Sequence, residues 1–231
     1  MSKNYIKNKI NYKKHMLKII LFLISIFITP NFVLADLVKV FDFSEQELSE
    51  LEVRKVRGAD NKTVYSVESN EKGNFLKAVA DNAASGLGKE IKINLNKTPF
   101  INITWRIEKD LKGIKENTKK GHDYAARVFA IKKTGATPLS NRAINYVFSS
   151  NSEVGENRPS PYTKKSIDYV LASTMDGLND WVTVKANVKE DFKRFHNLDV
   201  NELDGLAIMA DTDNSKMKSI SYFQNIYFSS N

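Results

Sequence analysis

Ile101-Asn-Ile-Thr-Trp-Arg-Ile107 puts its isoleucines and Trp105 on odd positions and Asn102, Thr104 and Arg106 on even ones. That is a period of two, one apolar and one polar face on an extended strand, rather than the 3.6 of a helix. The same alternation recurs at 37–43, 51–56, 63–69, 74–80, 90–95, 124–132, 143–149, 166–173, 181–187, 204–211 and 219–228, which with 100–107 predicts about twelve strands. Only 189–195 reads as helix, with Phe192 and Phe195 three apart and acids leading into bases. So many strands with so little helix exclude a βαβ arrangement. They predict an all-β fold, an antiparallel two-sheet sandwich of jelly-roll type with one short helix. The connections 109–121, 133–142 and 149–165 are long and polar, and the first carries five lysines. Long sandwich loops are where function concentrates, although a lysine run by itself reads as solvated surface.

Ahead of the first strand, residues 1–35 have the layout of a secretory signal. Six lysines and no acid precede Ile19-Ile-Leu-Phe-Leu-Ile-Ser-Ile-Phe-Ile28, Thr29-Pro30-Asn31 breaks the helix, and Val33-Leu34-Ala35 offers a cleavage site before Asp36. Met16 serves equally well as the start. The charge-free run is about half the ~20 residues that a membrane span requires, so cleavage is favoured over an uncleaved anchor. The expected product is one domain, 36–231, located in the periplasm or outside the cell, with no stable membrane insertion.

Removal of the signal leaves 29 basic against 27 acidic residues and no basic stripe, which argues against a nucleic-acid partner. There is no cysteine, so disulfides, thiolate metal sites and cysteine nucleophiles are excluded and the core must supply the stability.

From Lys119 onward the chain carries Gly121-His-Asp-Tyr-Ala-Ala-Arg127, Arg142-Ala-Ile-Asn-Tyr-Val-Phe148, Trp181 leading to Asp191-Phe192, Leu206-Ala-Ile-Met-Ala-Asp-Thr-Asp-Asn214 and Tyr222-Phe-Gln-Asn-Ile-Tyr-Phe228. In this order and spacing the segments resemble a family of exported bacterial proteins known as domain of unknown function 3047. The resemblance covers nearly all of the mature chain and implies a compartment and a fold, but no chemistry. The chain departs from the family at His122-Asp123, where paired acids are usual, at Phe148, where Trp is usual, and at Asn225, where Asp is usual. Asp42-Phe43 and the last strand are more loosely similar to the ends of carbohydrate-binding jelly rolls.

Arg127 shares a strand face with Phe129 and Ile131, so its guanidinium requires a carboxylate, and Asp211 is a suitable partner by residue type. Two readings stand: an internal ion pair, or an Arg that holds ligand oxygens. Asp211-Thr-Asp-Asn214 fails the EF-hand template, with Lys216 where Gly is required and Tyr222 where Glu is required. The segment then reads as a turn, with a structural calcium site assembled from loops as the alternative; no other cofactor is expected. His122, Asp123, Asp211 and Asp213 are acid–base candidates, but no nucleophile elbow, phosphate loop or His-rich metal motif is present. Trp181 falls on a polar face. The candidate ligand-binding set is therefore Asp123, Arg127, Asn145, Tyr146, Trp181, Asp211 and Asp213, and no catalytic residue is assigned. The leading reading is a non-catalytic sandwich that binds carbohydrate or another polar envelope component. A polysaccharide hydrolase or lyase, and a structural or partner-binding envelope protein, are the alternatives. Mass spectrometry of the exported protein is expected to give an N-terminus at Asp36, and a membrane-bound product retaining residues 16–35 would contradict the cleavage reading.

Overall fold

The computed structural model describes residues 36–231, so the signal assigned to 1–35 lies outside the described residues. In chain order the strands are β1 (Leu37–Lys39), β2 (Val53–Lys55), β3 (Val64–Asn70), β4 (Gly73–Asp81), β5 (Ala84–Asn94), β6 (Phe100–Lys109), β7 (Ala126–Lys132), β8 (Arg142–Ser149), β9 (Asn157–Ser160), β10 (Thr163–Ser173), β11 (Val182–Asn187), β12 (Glu202–Asp211) and β13 (Lys218–Ser229). Helix α1 (Glu45–Glu50) precedes β2, and α2 (Val188–His196) joins β11 to β12. One sheet runs β11-β6-β13-β4-β3 with β1 added on β13, and the other runs β2-β5-β12-β7-β8-β10-β9. Together they form a sandwich of jelly-roll type.

The sandwich is antiparallel as expected, with one exception among its strand pairings: β8 and β10 run parallel. The chain leaves β8, forms β9 as an edge strand and returns along β10, a detour inside the 149–165 connection. β9 contains Pro159 and sits at the sheet edge, where a residue without an N–H is tolerated.

The alternation read from 101–107 becomes the core. Ile101, Ile103, Trp105 and Ile107 of β6 are all buried, and Trp105 packs against Phe148 of β8 at 5.5 Å and Phe223 of β13 at 6.5 Å. Each such side chain contributes about 1.5–3 kcal/mol on burial. From the other sheet come Leu87, Val128, Ile144, Leu206 and Ile208. α2 closes one end of the sandwich. Asn187 caps it by accepting from the Glu190 N–H, acids occupy its first turn and bases its last, and Asn197 ends it in the left-handed region at φ 53°. Among the described residues no helix is long and apolar enough to cross a membrane.

Two elements depart from the sequence reading at the N-terminal side. β1 stops at Lys39, Phe43 adopts φ 52°, and α1 follows, capped by Ser44 Oγ accepting from the Glu47 N–H. The long loops are fastened rather than free. Buried Glu116, within the lysine-rich loop, accepts from Ser149 Oγ (2.5 Å) and the Ser150 N–H (2.8 Å). Gly121 lets that loop close on itself, since a Cβ there would lie 2.6 Å from the Lys115 carbonyl oxygen. Gly121→Ala is expected to cost about 1–3 kcal/mol by overpacking. Gly88→Ala, whose Cβ meets nothing within 4 Å, should change stability by less than about 0.5 kcal/mol. Equal melting temperatures for the two variants would contradict this picture of the loop.

Candidate functional site

On β7 the residues alternate between Ala126, Val128 and Ala130, which face the core, and Arg127, Phe129 and Ile131, which face outward. The register places Arg127 between Val147 of β8 and Met209 of β12, and Phe129 between Asn145 and Ala207. Arg127 therefore lies on the outer face of the seven-stranded sheet, yet it is only 3% exposed because the chain from 119 to 125 and the turn after β12 cover it.

Its charge is met by Asp211. Arg127 Nε donates to Asp211 Oδ1 at 2.7 Å and Nη2 to Oδ2 at 2.5 Å, a bidentate pair, and Nη2 also donates to the His122 carbonyl at 2.7 Å. The Tyr124 N–H completes Asp211 Oδ1 at 3.1 Å, and the guanidinium lies 4.5 Å from the centre of the Tyr124 ring. Burial works against the guanidinium's charge, but Asp211 and Asp168 outweigh it and hold Arg127 above its ordinary value. Burial pushes Asp211 up, to about 7, with Arg127 opposing and the Asp123 carboxylate adding to the shift.

Beside this pair lies a second buried group. His122 Nε2 meets Asp168 Oδ2 at 2.7 Å, and Asn145 Nδ2 donates to Asp168 Oδ1 at 2.6 Å. Burial, then Arg127, depress the His122 pKa despite the opposing carboxylate. For Asp168, burial alone would raise the value, but His122, Arg127 and Asn145 together hold it below the ordinary carboxylate range. A third group fixes the turn after β12. Asp123 accepts from Asn214 Nδ2 (2.8 Å), the Asn214 N–H (3.2 Å) and the Ser215 N–H (2.6 Å).

These groups border a cavity of about 330 Å³. His122, Arg127, Asn145, Asp211, Asp213 and Asn214 supply polar lining, and Phe129, Met209 and Val56 supply apolar surface. Tyr162 stands at the rim, its ring 5.6 Å from His122 and its hydroxyl 2.5 Å from Asn214 Oδ1. A larger hollow of about 410 Å³ lies further along the same face near Ile131 and Gly205. Its Lys133 and Glu90 pair with each other at exposed positions, and the fixed, buried polar chemistry is at the smaller cavity.

Of the seven sequence-derived candidates, Arg127, Asn145, Asp211 and Asp213 line the cavity, and Asp123 is buried behind the Asp213-Asn214 turn. The other two lie elsewhere. Tyr146 faces the core, where its hydroxyl donates to Asp191 Oδ2 of α2 at 2.9 Å. Trp181 lies against the six-stranded sheet, packed on Phe75 and Arg106. Asp168, Phe129 and Tyr162 were not among the candidates. Asp168 had a legible signal, a lone acid in the apolar run Ile167-Asp-Tyr-Val-Leu171, which is the argument that singled out Arg127. Asp123, Asp211 and Asp213 each place one oxygen within 4.8 Å of the others, the spacing of a cation site. The oxygens of Asp211 and of Asp123 also accept from N–H donors, Asp211 from Arg127 and Asp123 from Asn214 and Ser215.

The fold and site define a jelly-roll sandwich with a walled cavity of mixed polar and apolar lining on one outer face. The family described as "Protein of unknown function (DUF3047)" matches residues 49–227, and the chain belongs to it. No curated protein matches the chain. Among solved structures it is similar to a family 30 carbohydrate-binding module of a Clostridium thermocellum cellulase, with 8% identity over 84% of this chain and 96% of that one and a TM-score of 0.45. A family 11 carbohydrate-binding module from the same organism has 12% identity, 85% and 94% coverage and a TM-score of 0.42. An engineered form of the Cel12A cellulase of Rhodothermus marinus has 10% identity, 85% and 100% coverage and a TM-score of 0.44. At these identities and scores the likenesses carry no argument about function.

Because folding holds His122 below its ordinary 6.5, the unfolded chain takes up the proton first. The stability contributed by neutral His122 is thus intact above 6.5 and is lost as the pH falls from 6.5 toward the folded midpoint. An NMR titration is expected to place the His122 midpoint below 6.5, and Asp168→Asn, by removing the opposing carboxylate, should move it lower still. A midpoint at or above 6.5 in the wild type would contradict the buried, neutral assignment.

Proposed function

We propose that residues 36–231 form a carbohydrate-binding domain whose ligand occupies the cavity over Arg127, Phe129 and Asn145. One observation carries the reading. A single cavity combines polar groups held rigidly by buried partners with accessible apolar surface on Phe129 and Met209 and an exposed ring at Tyr162. A saccharide has the matching dual character, hydroxyls around its edge and C–H groups on its faces, and ligand sites in general join an apolar lining to a few placed polar groups. The exported compartment inferred from residues 1–35 is compatible with such a ligand.

Glycoside hydrolysis requires two carboxylates free to act on opposite sides of a bond. Asp211 is occupied by Arg127 on both oxygens and Asp123 by backbone and amide N–H groups, which leaves Asp213 alone and favours binding over hydrolysis.

A glycan array followed by calorimetry on the strongest hit tests the reading. Phe129→Ala and Tyr162→Ala are each expected to weaken binding by roughly tenfold, the loss of one aromatic contact of about 1.4 kcal/mol. Trp181→Ala, on the other sheet, should leave the affinity as it is. Binding that follows Trp181 rather than Phe129 would overturn the assignment of the site.

A further inference from the structure

We infer that the cavity selects uncharged saccharide units by accepting hydrogen bonds from their hydroxyls and rejects anionic ones, with His122 and Asn145 as the specificity-determining acceptors. This rests on the carbohydrate reading of the cavity and names the class of saccharide that it takes.

The acceptors are set by one residue. Asp168 is 1% exposed and its carboxylate only accepts, so both groups bound to it must donate. Asn145 turns its Nδ2 to Asp168 Oδ1, and rotating the amide would set oxygen against oxygen. Asn145 Oδ1 is thereby directed away from Asp168, and it is buried without a hydrogen-bond partner among the described residues. A buried carbonyl left unpaired is costly, and a residue that lines a cavity has a ligand as the natural donor. His122 gives its Nε2–H to Asp168 Oδ2. The neutral ring then carries its lone pair on Nδ1, which has no partner among the described residues, and the ring lines the same cavity. Asp168 acts here as a positioning residue, through its two oxygens.

The charges supply the rejection. Arg127, the cation within the wall, is spent on Asp211, and two further carboxylates, Asp123 and Asp213, lie within 4.8 Å of that one. Lys216 nearby is exposed and turned to Asp60 at 2.8 Å, and Arg57 is an exposed residue of the lining. A ligand carboxylate entering beside Asp213 would lose its hydration next to acids that no buried cation beyond Arg127 offsets, which is discrimination by a repulsive element.

The test is calorimetric titration of the wild type with neutral linear hexasaccharides (cellohexaose, xylohexaose, mannohexaose) and with hexagalacturonate and hexamannuronate. At least one neutral chain is expected to bind, with the uronates weaker by about a hundredfold or more, of the order expected when a close like charge is added to a lost hydrogen bond. Asp213→Asn should shrink the neutral-to-uronate ratio by about tenfold. His122→Leu should weaken the neutral chain by about tenfold, and His122→Gln, which keeps one donor for Asp168 and one acceptor for the ligand, should restore most of it. Melting curves of all three variants identify any that fail to fold. Uronates that bind as well as or better than the neutral chains would overturn this inference while leaving the carbohydrate reading intact. An unchanged ratio in Asp213→Asn, or His122→Leu equal to the wild type, would overturn it as well. No binding by any of the five saccharides or on the array would defeat the carbohydrate reading itself.

Discussion

The buried pair between Arg127 and Asp211 is the contact on which the organisation of the site depends. It joins neighbouring strands β7 and β12 on the outer face of a sheet, and through the His122 carbonyl and the Tyr124 N–H it also binds the end of the loop that covers that face. A guanidinium and a carboxylate, each almost wholly removed from water, are a net cost unless geometry and further hydrogen bonds compensate them. Here both requirements are met. Such a pair contributes little to stability against an apolar substitute, but it tolerates no loss of a partner, and this is how it fixes where the covering chain must lie.

Around it the other buried charges behave alike. Glu116 draws the lysine-rich loop onto the end of β8, Asp123 holds the turn after β12, and Asp168 orients His122 and Asn145. Asp123 and Glu116 accept backbone N–H groups of irregular segments as well as side-chain donors, and Asp168 accepts from the side chains of His122 and Asn145 alone. The sheet thus supplies a rigid floor and the acids supply the walls. A small apolar group on the same outer face, Tyr124, Val147 and Val170, shows that the loops seal one end of it. The cavity is what they leave open.

Much of the sandwich was legible because period two has a direct physical reading. The odd residues of 101–107 are all buried, and the alternating segments correspond to strands. The pattern failed where outward positions carry no polar side chain. β5 begins at Ala84 rather than 90 because Gly86 and Gly88 leave nothing to alternate. β9 is short and holds a proline, and no local signal distinguishes the parallel return of β10 from an antiparallel one. The site was half legible. A charge within an apolar strand identified Arg127, and the same rule applied to Asp168 would have found the group that orients two acceptors. Asn145 and Tyr146 are consecutive residues of one strand and must face opposite sides, so period two itself separates them. The sheet that receives Trp181 is decided by long-range pairing, which local sequence does not encode.

The dependence of the site on the Arg127–Asp211 pair is tested most directly by a double-mutant cycle, with Arg127→Met, Asp211→Leu and the double variant compared by chemical denaturation. If the pair is the shared constraint, each single change leaves one buried polar group without its partner and costs about 3–5 kcal/mol, while the double variant is no less stable than either single one. Single costs that simply add, to within about 0.5 kcal/mol, would show that the two residues act independently and would contradict the role given to the pair.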